Sequence, residues 1–249
     1  MTNLLYIIDN YAGGMGLEEF TFFIGTMALM GASAFFFLSL SQFDKKWRNS
    51  ILISGLITFI AAVHYYYMRG ELGPDGSAGD ITSIRYIDWI LTVPLMCVEF
   101  YLITKKVGGT MAILWKLIMA SVAMLVLGYI GEAFYADQSQ SWVWGALSGA
   151  AYFYIVWLVW AGDVAKLANS AGGKVARANS LLRRFVLVGW AIYPIGYILG
   201  TEGGLFGMSI GSADDGLLNL CYNIADAVNK IGFGLVVYSL AVSKDEAAA

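Results

Sequence analysis

Residues 219–237 read NLCYNIADAVNKIGFGLVV, a run apolar enough to cross a bilayer yet interrupted by Asp226 and Lys230. An α-helix turns once every 3.6 residues, so side chains four apart share a face and these two meet inside the run. Charges in hydrocarbon cost about 2.5–3.5 kcal/mol each even on lenient insertion scales, so a retained pair carries a role. The bland role is an ion pair that fixes helix packing, although desolvation offsets much of its attraction. The chemical role is sharper. An amine kept from water becomes nucleophilic and condenses with an aldehyde, and a nearby carboxylate then stabilises the protonated imine.

Working outward, the same apolar texture recurs along the chain. Of 249 residues 59% are hydrophobic and 13% charged, about half the charged share of a soluble domain. Apolar stretches of about 20 residues predict membrane-spanning helices, near 18–41, 50–69, 83–104, 110–134, 142–163, 181–201 and 216–243. The links between them are short and polar, so the expected architecture is all-α: one seven-helix membrane bundle over 1–249. The 29 glycines suit close approach of membrane helices. Cys97 and Cys221 sit in apolar runs and suggest no disulfide framework. A net charge of −3 gives no reason to expect nucleic acid. The first twenty residues, MTNLLYIIDNYAGGMGLEEF, lack a basic region and a cleavage site; they are expected to be an extramembrane segment rather than a cleaved signal.

Charge sets the orientation. Lys45, Lys46, Arg48, Lys105, Lys106, Lys166, Lys174, Arg177, Arg183 and Arg184 occupy alternate links, with Lys244 at the C-terminus. Lys116 can snorkel to the same side. Glu71, Asp75, Asp80, Asp137, Glu202, Asp214 and Asp215 occupy the other links. The positive-inside rule predicts an outer N-terminus and a cytoplasmic, inner C-terminus.

The third run holds RYIDWILTVPLMCVEF at 85–100. Asp88, Thr92, Met96 and Glu99 are spaced four, four and three apart and form one helical stripe, with Arg85 a turn toward the outside. At about 1.5 Å per residue, Asp88 and Glu99 stand roughly 16 Å apart along the axis, too far to share a proton. They can flank something placed between them, and Lys230 suits that slot.

Seven spans, the D-x-x-x-K of the last and RYIDW-x-x-T-x-P of the third resemble the microbial rhodopsins. HYYYMRG at 64–70, WAIYPIGY at 190–197 and NLCYNIADAVNKIGFGL are similar to the proteorhodopsin branch. The resemblance implies all-trans retinal bound to Lys230 as a protonated Schiff base. It implies that Asp88 is the proton acceptor and counterion, Asp226 the second counterion, Arg85 an outer balancing charge and Glu99 the inner proton donor. Alone in an apolar half-channel, Glu99 should hold its proton until the Schiff base needs it. Thr92 matches a hydroxyl between the stations. Trp89 and Trp190 match the aromatic walls of the retinal slot, with Tyr193, Pro194, Tyr197 and Tyr222 beside them. Met96 matches a colour-tuning position, where an apolar side chain resembles the green-absorbing members.

His64, the one histidine in the sequence, matches a residue that pairs with the primary counterion; a core hydrogen bond is the plainer reading. Gly145 matches a position where some relatives open a window for a carotenoid antenna, helix packing being the default. Trp142 and Trp160 are expected in packing or interfacial belts. Glu132, Asp163 and Glu202, near span ends, are expected to be solvated. Pro94 and Pro194 lie inside spans and can kink them. No metal site is expected. The combination of Asp, Thr and Glu on the third span predicts an outward, light-driven proton pump, a transporter rather than an enzyme, in a bacterial inner membrane. The resemblance also implies a homo-oligomeric ring, a pentamer favoured. The competing readings are a photosensory receptor acting through a partner, a light-gated channel, and a colourless solute transporter coupled through Asp226–Lys230.

Overall fold

The computed structural model describes residues 16–73, 79–207 and 215–243. The N-terminal segment through residue 15, together with Asp75, Asp214 and Lys244, lies outside the described residues. The chain forms helices α1 (Leu17–Ser39), α2 (Lys45–Gly70), α3 (Ile81–Thr104), α4 (Met111–Phe134), α5 (Ser141–Trp160), α6 (Asp163–Ala171), α7 (Gly173–Arg184), α8 (Ile192–Gly200) and α9 (Asp215–Val242). Among the described residues, seven stretches are long and apolar enough to span a membrane. Each of α1 to α4 packs on the next, α5 follows α4, and α9 closes against α1 and α2. The exterior is apolar, with Leu38, Tyr66, Phe153 and Val188 exposed, whereas Arg85, Asp88, Glu99, Asp226 and Lys230 are buried. In lipid such an arrangement keeps ionic groups in contact with one another instead of hydrocarbon.

Two features depart from the sequence expectations. The stretch AKLANSAGGKVARANS, read as a link, is helical on both sides of a break at Gly172 and Gly173, whose φ angles are 63° and 49°. Its periodicity explains this: Val164, Ala165, Ala168, Ala178 and Leu182 turn inward, while Lys166, Asn169, Ser170 and Arg177 face out. The fifth and sixth spans therefore run on beyond their predicted inner ends.

The sixth span is irregular rather than simply bent. Phe185–Gly189 forms a π-helical segment between α7 and α8. Pro194 has no N–H for the Trp190 carbonyl four residues back, and that carbonyl accepts from Tyr193 N instead at 3.2 Å. Side chains from other helices satisfy the loosened backbone. The Tyr152 hydroxyl donates to the Val186 and Leu187 carbonyls (3.0 and 2.9 Å), and Asn229 Nδ2 donates to Gly189 O at 2.9 Å. Pro94, by contrast, sits inside an uninterrupted α3.

Close packing depends on missing side chains. A Cβ at Gly131 would overlap the Tyr197 hydroxyl, which is anchored to Ser141 O at 2.7 Å. Gly131→Ala is expected to cost about 1–3 kcal/mol by overpacking, measured by unfolding in mixed micelles. An unchanged midpoint would show that Tyr197 gives way freely.

Candidate functional site

Lys230 on α9 is 3% exposed, and its Nζ lies 2.7 Å from Asp88 Oδ2 and 2.9 Å from Asp226 Oδ2. Helical spacing accounts for the second contact, and packing of α3 near α9 creates the first. The two carboxylates are held unequally. Asp226 also accepts from Trp89 Nε1 at 3.2 and 3.3 Å and from the Tyr193 hydroxyl at 2.5 Å. Asp88 Oδ1 is buried and has no hydrogen-bond partner. Donors stabilise an ionised carboxylate, and Asp226 has more of them than Asp88.

Arg85 is buried but touches neither carboxylate. Its guanidinium donates to Asn223 Oδ1 at 3.2 Å and to Asn219 Oδ1 at 2.9 Å. It also lies over the Phe22, Trp89 and Tyr222 rings. With Lys230 and the two aspartates it makes a cluster whose formal charges cancel. Glu99, on the same α3 stripe, is fully buried, and neither of its oxygens has a hydrogen-bond partner. Placing a bare carboxylate in such surroundings is costly.

A cavity of about 440 Å³ runs from Lys230 and Asp226 on α9 to Gly145, Gly149 and Phe153 on α5. Trp89, Met96, Trp190, Tyr193, Pro194, Tyr197 and Tyr222 all line it.

His64 does not make its expected pairing, whereas Thr92 stays on the stripe and Gly145 packs as its default reading has it. His64 Nδ1 sits 2.8 Å from Ile60 O on its own helix, and Asp88 is bonded to Lys230 instead. The Thr92 hydroxyl likewise donates to Asp88 O, at 2.8 Å, and stays on its own backbone. Gly145 is a packing glycine: a Cβ there would stand 2.5 Å from the Tyr197 ring.

Glu132 was expected in solvent but lines the cavity and accepts from the Tyr86 hydroxyl at 2.7 Å. Trp142, assigned to a belt or packing, lines the same cavity. Asp163 is partly exposed, as expected, and is paired with Lys116 at 2.7 Å. Tyr86 was within reach of the sequence, standing three residues before Trp89 on one helical face. Tyr152 and Asn229 carried no such signal, because their partners are the carbonyls of a distant, irregular helix.

Residues 16–244 match the family model for bacteriorhodopsin-like proteins. The chain belongs to that family. It is 39% identical over 239 residues to the green-light absorbing proteorhodopsin of Gamma-proteobacterium EBAC31A08, covering 94% of this chain and 92% of that one. It is also 39% identical over 225 residues to the blue-light absorbing proteorhodopsin of Gamma-proteobacterium Hot 75m4, covering 90% and 86%. The crystal structure of Exiguobacterium sibiricum rhodopsin superposes with a TM-score of 0.78 at 31% identity, over 90% of this chain and 95% of that one. Membership implies retinal carried covalently by a lysine.

In the protein without retinal, Lys230→Met should lower stability by about 3–5 kcal/mol, because it leaves the buried carboxylates without their cation. Reversible unfolding in micelles measures this, and a negligible loss would mean that both carboxyls are neutral.

Proposed function

We propose that this chain is a light-driven outward proton pump of a bacterial inner membrane, one retinal-binding domain carrying all-trans retinal on Lys230. The reading rests chiefly on one arrangement: an amine between two unequal carboxylates, with a third, unpartnered carboxyl buried further inward. The cavity fits the group. Its volume lies in the range of small-molecule sites, its walls are mostly aromatic and aliphatic, and a lysine amine opens into it.

Retinal, held by Lys230 and confined by the cavity walls, would supply light absorption and a light-driven isomerisation. Asp88 takes the proton at Nζ, since its Oδ1 has no competing donor. Asp226 stays ionised under its three donors and steadies the positive charge at rest. Glu99 returns a proton to Nζ from the inner side. With Asp88 then releasing its proton to the outer side and Glu99 refilled from the inner side, one charge moves outward per cycle, against about 2.3 kcal/mol per 100 mV of membrane potential. Trp89, Trp190, Tyr193, Pro194, Tyr197 and Tyr222 confine the chain of double bonds, and Met96 leaves its surroundings apolar, which supports green absorption. A buried carboxyl at Glu99 favours pumping over sensing, because it speeds recovery.

Two finer points rest on resemblance: assembly as a homo-oligomeric ring, a pentamer favoured, and a carotenoid antenna near Gly145. With Tyr197 filling the space beside Gly145, packing already accounts for that glycine. Added hydroxylated carotenoid that passed no excitation to retinal would remove the antenna.

Cells expressing the chain and given all-trans retinal should become coloured and acidify unbuffered medium in light, and an uncoupler should abolish the acidification. A colourless product, or coloured cells with no pH change, would refute the pump. Asp88→Asn should abolish acidification. Glu99→Gln should instead slow the return to the dark state at least tenfold, and an unchanged flash-photolysis recovery would strip Glu99 of its donor role. Borohydride reduction under illumination should map the chromophore to Lys230.

A further inference from the structure

Arg85 is anchored outward, and the anchor ends on a carboxylate. Its guanidinium donates to Asn219 Oδ1 at 2.9 Å, and Asn219 Nδ2 donates in turn to Glu18 Oε1 at 2.6 Å. A parallel strap joins Asn223, which accepts from Arg85, to the Thr21 hydroxyl at 3.0 Å. Glu18 stands half-buried in the first turn of α1. A single amide side chain thus couples a buried cation to a carboxylate on another span, its carbonyl facing the cation and its N–H facing the anion. Reversing that amide would oppose like partial charges at both ends.

We propose that Glu18, acting through Asn219, holds Arg85 away from Asp88 and thereby sets how readily Asp88 accepts a proton. The inference rests on the pump reading above. A guanidinium tied outward lends Asp88 little of its field; released, it is drawn inward to the two aspartates. Closer approach would favour the Asp88 carboxylate, so more acid would be needed to protonate it. Glu18 is here a positioning residue, not a group that touches the reacting nitrogen.

Other charged groups face this region. From α2 come His64 and Tyr65, both in the field of Asp88, and Arg69, which pairs with Glu19 of α1 at 2.9 Å. From α4 comes Glu132, held by Tyr86 of α3. Tyr193 belongs to α8, and Tyr222, Asp226 and Lys230 to α9. None of these is bonded to Asn219 or Glu18, so substitutions of those two report on the strap.

The test is a pH titration of absorption in the purified, retinal-bound protein. Neutralising Asp88 removes a negative charge beside the chromophore's nitrogen and moves the absorption to longer wavelength. Glu18→Gln and Asn219→Leu are each expected to shift the midpoint about 1 pH unit toward acid, a tenfold change in proton affinity. The double variant should shift little further, since both break one strap. Glu19→Gln, which removes the same charge one residue away, should leave the midpoint in place. A shift in Glu18→Gln without one in Asn219→Leu would reduce the effect to simple charge removal and overturn the positioning role. So would unmoved midpoints in both, a shift in Asn219→Leu alone, or an equal shift in Glu19→Gln. Wild-type protein that takes up no retinal would sink the pump reading and this inference together, whereas coloured protein with unmoved midpoints sinks only this one.

Discussion

Everything in this bundle answers to one electrostatic demand: an ammonium group must be kept in the middle of a low-dielectric slab. Two carboxylates within 3 Å meet it, but they leave a surplus negative charge that needs its own answer. Arg85 supplies it from a distance. The result is a neutral cluster in which no group is so tightly matched that it cannot change its charge. A perfectly paired ion pair would be a poor transport site, because moving its proton would leave a bare charge behind.

That demand reaches into the helix geometry. Asp226 is held by donors from the third and sixth spans, and the sixth span can offer Tyr193 there while its backbone is irregular. Pro194 frees a carbonyl, the π-helical turn shifts the register, and Tyr152 and Asn229 hold the displaced carbonyls. Membrane helices tolerate such defects when neighbouring side chains re-satisfy the backbone. The distortion, the cavity and the lysine are therefore parts of one arrangement.

Much of this was legible in the sequence, because ionisable residues in apolar runs are conspicuous. The Asp226–Lys230 pair and the Asp88–Glu99 stripe follow from helical spacing alone, and the seven spans from hydropathy. Contacts decided by side-chain direction were not legible. His64 and Thr92 each turned to their own helix backbone, a local option that competes with any long-range partner. Arg85 turned outward to two asparagines 134 and 138 residues away. The inner link hides its helices for another reason: its polar residues suggest a loop, while its alanines, valines and leucines keep helical period. Glu132 and Trp142 were set aside for lying near span ends, yet the cavity extends that far.

Between Asp88 and Glu99, α3 carries Thr92 and Met96 on one stripe. Along that stripe Thr92 spends its hydroxyl proton on its own backbone, Met96 offers none, and Cys97 and Phe100 are buried beside them. The stripe thus offers no uncommitted hydroxyl of its own across the roughly 16 Å between the two carboxyl groups. The voltage that such a machine builds pushes protons back toward the cell interior, and a wetted column here would short-circuit it in darkness. Rectification thus falls to this stretch of α3, where the Thr92 hydroxyl is already committed to its own backbone.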